Sequence, residues 1–329
     1  MKVAVLGAGA IGAYVGAALH RGGTEVHLVA RGPHLQAIRA GGVKVLSPRG
    51  DWVARTPATG DPAEIGPVDV VFLGLKANSY ASCGPLIQPL LHAGTAVVAA
   101  QNGIPWWYFH GLPGPYEGRR IESVDPGGEV TRVLSLDRAI GCVVYCSTEL
   151  ESPGLVRHLE GTRFSIGEPA GGRSDRCVEF SEAMIAGGLK CPVEEDLRDD
   201  IWIKLLGNAA FNPISALARA TMVEIARHQG TRAMIRLMME ETLAIAAAVG
   251  STPDISVDKR IDGAERVGDH KTSMLQDLEK DKPLELDVIL AAVVELADLT
   301  GTQAPTLRAV HAVADLLSTK IGAVPAGTR

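Results

Sequence analysis

A chain of 329 residues predicts about two domains rather than one core. Its 46% apolar and 21% charged residues are ordinary for a globular protein, and a net charge of −6 leaves no basic footprint for nucleic acid. Nine His residues fall at no metal-ligand spacing, so no metal is expected, and five scattered Cys read as reduced thiols rather than a disulfide framework.

The chain opens on Met1-Lys2 and runs straight into a strand-like segment, so no signal peptide is expected. Residues 2–6 predict a buried strand. Gly7-Ala8-Gly9-Ala10-Ile11-Gly12 follows, then an amphipathic Ala-rich helix to about His20. Residues 25–29 predict a second strand ending in Ala30-Arg31-Gly32, and 33–40 a helix with Pro33 in its first turn. Further buried strands are expected at 68–73 and 95–100, separated by a helix at 80–91. Strands alternating with helices imply a parallel sheet covered on both faces. Residues 104–137, rich in Pro, Gly and aromatic side chains, show no clear period. A strand is expected at 138–145, with Cys142 and Cys146 on one face of it. Short antiparallel strands over 148–168, with turns at Pro153-Gly154 and Gly161, come next, then a helix at 177–186.

Strand signals stop after about Asp196. Residues 201–221, 231–249 and 283–300 show helical periodicity, and a last helix follows Pro305. No apolar stretch reaches the length of a membrane span without a charge or a Gly. The expected architecture is an α/β nucleotide-type domain over residues 1–195 and an all-α domain over 196–329, with a cleft between them.

Lys204, Asn208 and Asn212 recur every fourth residue in an otherwise apolar segment. On a helix they share one face, drifting by about 40° per step. Buried polar groups need partners, and here these are either other protein groups or a substrate. The Gly7-x-Gly9-x-x-Gly12 run, placed between a strand and a helix, fits a dinucleotide pyrophosphate at a helix N-terminus; a turn without ligand is the alternative. Arg31 stands where an NAD site carries an acidic residue. A guanidinium suits a 2′-phosphate, so NADP is expected over NAD. Lys76 supplies a second positive charge past strand 68–73, although either residue alone also reads as a solvated surface charge. Asn102 either reaches the nicotinamide ribose or the substrate, or simply forms an Asn-Gly turn.

These residues, with Leu75-Lys-Ala77, Gln101-Asn-Gly103, the run Trp202–Pro213, Ser273-Met-Leu-Gln-Asp277 and Leu284-Glu-Leu-Asp287, resemble the ketopantoate reductase family over most of the chain. The resemblance implies a Rossmann-type dinucleotide-binding domain followed by an all-α domain. It implies that Lys204 is the catalytic lysine and Glu285 a functional glutamate. Asn102, Asn208, Asn212 and Ser273 would line the substrate site, and Arg31 and Lys76 would contact the NADP phosphate.

Hydride addition to a 2-oxo group builds negative charge on oxygen, which a cation or proton donor must stabilise. An ordinary lysine, with a pKa of about 10.4, does both. Ser273 would donate to a substrate carboxylate; Glu285 would pair with Lys204 or accept from a substrate hydroxyl. Lys204 also reads as a salt-bridged lysine, and Asn212, before Pro213, as the cap of a helix break. Two features depart from the family pattern. The segment after Gly103, with Trp106, Trp107 and Tyr108, is long and aromatic, and is expected to form part of a substrate lid. His270, one helical turn before Ser273, stands where a small amide is usual and is expected to touch substrate. The implied function is NADPH-dependent reduction of 2-dehydropantoate (ketopantoate) to pantoate, in pantothenate and coenzyme A biosynthesis. The alternative is a paralogue acting on another branched 2-oxo or 2-hydroxy acid. A non-catalytic NADP-binding regulator is disfavoured because Lys204 and Glu285 are both present. By analogy a homodimer is expected, in the cytoplasm, with no membrane or nucleic-acid partner.

Overall fold

The structure, a computed structural model, describes residues 1–322. The chain divides into two compact units. The first holds residues 1–101, 107–120 and 127–197; the second holds 102–106, 121–126 and the described residues from Arg198 onward. Two short pieces of the N-terminal half are therefore built into the helical unit.

The first unit contains one sheet of β1 (Lys2–Leu6), β2 (Glu25–Val29), β3 (Val43–Leu46), β4 (Trp52–Ala54), β5 (Ala58–Thr59), β6 (Val70–Leu73), β7 (Ala96–Ala99), β8 (Ala139–Ser152) and β9 (Leu155–Gly167). The spatial order is β4-β3-β9-β8-β7-β6-β1-β2-β5. The run from β8 to β5 is parallel throughout. β8 with β9 and β3 with β4 are antiparallel. β6 and β7 are fully buried apolar runs, as strands covered on both faces must be. The helices are α1 (Ala10–Arg21), α2 (Gly32–Gly41), α3 (Gly84–Ile87), α4 (Glu129–Val133) and α5 (Asp175–Ala186). α1 and α5 pack on each other and on the sheet, with Val3, Val5, Leu19, Phe72, Phe180 and Met184 in the shared core. They approach backbone to backbone: a Cβ on Gly187 would stand 2.4 Å from the Ala18 carbonyl oxygen.

Several expectations change. The helix over 80–91 is a chain of short turns, because Pro85 and Pro89 interrupt it. Residues 148–168 belong to two long strands joined at Pro153-Gly154. Gly161 is no turn but a bulge inside β9, at φ +71° opposite a register shift in β8. Trp106, Trp107 and Tyr108 form no lid: they are 5%, 2% and 0% exposed. Trp107 fills the space above Gly141, where a Cβ would stand 2.3 Å from the indole ring. These aromatic residues are core.

The second unit is helical: α6 (Arg198–Ala218), α7 (Met222–Arg227), α8 (Gln229–Ala248), α9 (Val257–Val267), α10 (Ser273–Glu279), α11 (Ala292–Thr300) and α12 (Pro305–Gly322). α6 packs against α7, α8, α10 and α12. Pro213 lies inside α6 without ending it, so Asn212 caps no break. The helix expected over 283–300 starts later, with a π-helical turn at Asp287–Ala291 leading into α11. Glu241 of α8 holds the start of α12, accepting from the amides of Thr306 (2.9 Å) and Leu307 (2.8 Å). Among the described residues no helix is long and apolar enough to cross a membrane, and all five Cys are free thiols.

Glu168, just past β9, ties the sheet to α5. It accepts from Arg176 Nε (2.7 Å) and Nη2 (2.5 Å) and from the Ser174 hydroxyl. Burial alone would raise its pKa, but the Arg176 and Ser174 bonds outweigh burial and hold the carboxyl below the usual range. A carboxylate with a depressed folded pKa stabilises fully above its unfolded pKa, and that stability is lost as pH falls through the folded one. Glu168→Gln should therefore melt below the wild type at neutral pH. The gap should narrow below about pH 4.3, measured as Tm against pH.

Candidate active site

The Gly-rich turn is shaped by close backbone contact. Gly7 sits at φ +94°, open to glycine at little cost. A Cβ on Gly12 would stand 2.1 Å from the Gly7 carbonyl oxygen, and one on Gly74, past β6, 2.4 Å from the same atom. α1 can therefore begin directly over the ends of β1 and β6. Gly9 caps it with no side-chain bond, and the amides of Gly9, Ala10 and Ile11 have no acceptor among the described residues. Free amides at a helix start are an anion site.

Beside them lies a cavity of about 310 Å³, whose lining includes Gly7, Ala8, Gly9, Arg31, His34 and Lys76. Arg31 is the N-cap of α2 and is exposed; its guanidinium has no hydrogen bond or ion pair among the described residues. Lys76 enters from the end of β6. Gly7, Ala8, Gly9, Arg31 and Lys76 thus line one cavity, as the parallel order β2-β1-β6 allows, whereas Ala10, Ile11 and Gly12 lie in the first turn of α1 outside its lining. His34 and the hairpin residue Leu150 also line it, and sequence reading missed both. The signal for His34 was available: it follows Arg31 by three residues on a helix, one turn along the same face.

The remaining candidates sit in the second unit. α6 carries Lys204 and Asn208 half-buried and Asn212 at 4% exposure. Asn212 Nδ2 is buried with no partner, and Asn208 has no side-chain bond among the described residues. Asn102 is not held with the sheet it follows. Gly103, at φ +78°, lies on the π-turn, where a Cβ would stand 2.1 Å from the Val288 carbonyl oxygen. The Ile104 amide bonds that same oxygen at 2.8 Å. This docking brings Asn102 to Glu285, its Nδ2 donating to Oε2 at 3.4 Å. Glu285 lies just ahead of the π-turn, which packs on α6. π-turns recur at functional sites because they re-aim side chains that a regular helix would stack.

Ser273 is exposed in the first turn of α10, which also packs on α6. His270 is not one helical turn before it: α10 starts at Ser273, and His270 lies in the link from α9. Its carbonyl accepts from the Met222 amide at the start of α7, so that link is fixed by backbone rather than by the imidazole.

The family model described as "Ketopantoate reductase PanE/ApbA" matches residues 3–106, and its C-terminal counterpart matches residues 196–318. The chain is 47% identical over 323 residues to a 2-dehydropantoate 2-reductase of Mesorhizobium japonicum, covering 98% of this chain and 99% of that one. A solved structure assigned as a ketopantoate reductase, from Ralstonia solanacearum MolK2, is 36% identical with a TM-score of 0.90, covering 98% of each chain. The 2-dehydropantoate 2-reductase of Geobacter metallireducens is 29% identical with a TM-score of 0.85, covering 96% of this chain and all of that one. The matched regions take in both the Gly-rich turn and the α6 stripe, and the chain belongs to the ketopantoate reductase family, whose members are nicotinamide-dinucleotide-dependent reductases.

Proposed function

We propose that the chain reduces 2-dehydropantoate to pantoate with NADPH as reductant, in the cytoplasm. The observation that carries this reading is the buried, unpartnered Nδ2 of Asn212 on the helix face that bears Lys204 and Asn208. An orphaned buried amide costs about 1–3 kcal/mol, so a protein keeps it when a ligand completes it. A hydroxylated 2-oxo acid offers oxygens to do so.

When bound, the reduced nicotinamide supplies hydride to the 2-oxo carbon. The Lys204 ammonium stabilises the charge that develops on the substrate oxygen and delivers the proton that completes the hydroxyl. Asn208 and Asn212 hold the substrate's polar groups, and Ser273 donates to its carboxylate. Glu285, oriented by Asn102, accepts from a substrate hydroxyl or balances Lys204. Selectivity for NADPH rests on Arg31, a guanidinium lining the cavity with no partner among the described residues, together with Lys76.

NADPH oxidation against a panel of branched 2-oxo acids tests the assignment. 2-Dehydropantoate should give the highest kcat/KM, and a clear preference for another oxo acid would move the protein to a paralogous reductase. In the same assay Lys204→Ala should lower kcat by about a hundredfold or more; near-normal turnover would remove Lys204 from the chemistry. Arg31→Asp should raise KM for NADPH by at least about tenfold while changing that for NADH little. An equal loss for both cofactors would exclude a phosphate contact.

Asn212→Leu separates function from stability. Replacing an unpartnered buried amide with an apolar group of similar size should leave Tm unchanged or higher, yet raise KM for the oxo acid by about tenfold. A lowered Tm with unchanged KM would make Asn212 structural.

A further inference from the structure

The Gly-rich turn is held in place by a residue outside its own motif. The Ala8 amide donates to the Val29 carbonyl at 3.1 Å, and the Ala8 carbonyl accepts from His34 Nε2 at 2.7 Å. The other ring nitrogen of His34, Nδ1, accepts from the Gly154 amide at 2.9 Å, at the tip joining β8 to β9. Because an N–H already faces Nδ1, the ring proton sits on Nε2, and the imidazole is neutral in a single tautomer. Burial pushes its pKa below the usual histidine range, which is in keeping with that state.

A trans peptide is planar, with its C=O and N–H in opposite directions. Fixing the Ala8 carbonyl on His34 therefore aims the Gly9 N–H away from His34. That amide is one of the three without an acceptor at the start of α1, where a diphosphate would receive it. Gly9 leaves the approach clear, since the nearest atom to a Cβ built there is 4.0 Å away. His34 also lines the cavity with Arg31.

We propose that His34 is a positioning residue for the cofactor: by holding both the Ala8 peptide and the hairpin tip, it sets the Gly9 amide in the orientation that binds the diphosphate. The proposal rests on the reading of this cavity as the dinucleotide site. His34 would act through the turn, so it should govern cofactor affinity and leave the chemical step alone.

Three variants of the full-length protein test this. His34→Leu removes both bonds at similar bulk. His34→Gln keeps a donor at the reach of Nε2, and His34→Asn keeps an acceptor at the reach of Nδ1. Steady-state KM for NADPH should rise about tenfold in His34→Leu with kcat within about twofold. Gln should restore most of the loss and Asn little. The rise in Tm on adding NADPH should shrink in the same order. An unchanged KM in His34→Leu would overturn the proposal, as would rescue by Asn equal to that by Gln, which would place the effect at the hairpin. If His34→Leu does not fold, the Gln and Asn pair decides alone. A wild-type protein whose Tm does not respond to NADPH would instead overturn the cofactor reading beneath the proposal.

Discussion

Contact among three glycine backbones fixes the first unit. The Gly7 carbonyl oxygen lies so close to Gly12 and Gly74 that a Cβ on either would overlap it. Only without side chains at these positions can the first turn of α1 lie over the ends of β1 and β6. Its free amides then face the edge of a parallel sheet where loops converge, and Arg31 after β2 and Lys76 after β6 reach the same cavity because their strands flank β1. A helix displaced by even a methyl group would lose that convergence, since close-packed interiors leave no room to absorb it.

The second unit uses a different constraint. α6 is an apolar helix surrounded by other helices, and its polar face costs stability wherever it is not matched. Among the described residues, Asn208 and the Asn212 amide have no protein partner. Opposite demands meet at Asn102 and Glu285, which come from segments far apart in sequence. They are joined because Gly103 can lie flat on the π-turn, its φ and its lack of Cβ both being necessary there. A backbone arrangement thus assembles a polar pair that neither local segment would form.

The strands β1, β6 and β7 were legible as apolar runs because burial on both faces demands continuous apolar sequence, and β2 as Val26, Leu28 and Val29 after a polar start. β3, β4 and β5 were not: all three are short, β4 and β5 lie at the two edges of the sheet, and Val43-Lys44-Val45 alternates buried with exposed positions over too few residues to register. The helix expected over 80–91 is a chain of turns because Pro85 and Pro89 each start a new short segment. The aromatic run at 106–108 was misread as a lid, since an aromatic side chain looks alike in sequence whether it fills a core or covers a ligand. Asn212 went the other way. Pro213 suggested a helix break, but packing of α6 against four neighbouring helices keeps the helix intact through the proline.

Residue types and local spacing already carried the side-chain chemistry: glycines that permit close backbone approach, a guanidinium after β2, and a lysine and two amides at helical spacing. These are local facts, carried by residue type and by a period of 3.6. Which groups keep partners followed from long-range packing. His34 Nδ1 gained its partner because the β8–β9 hairpin folds back to meet it, 120 residues away in sequence. Asn102 joined Glu285 across 183 residues, and the Asn212 Nδ2 was left buried with no partner among the described residues. Hydrogen-bond satisfaction depends on what long-range packing places within about 3 Å, and no local pattern encodes that.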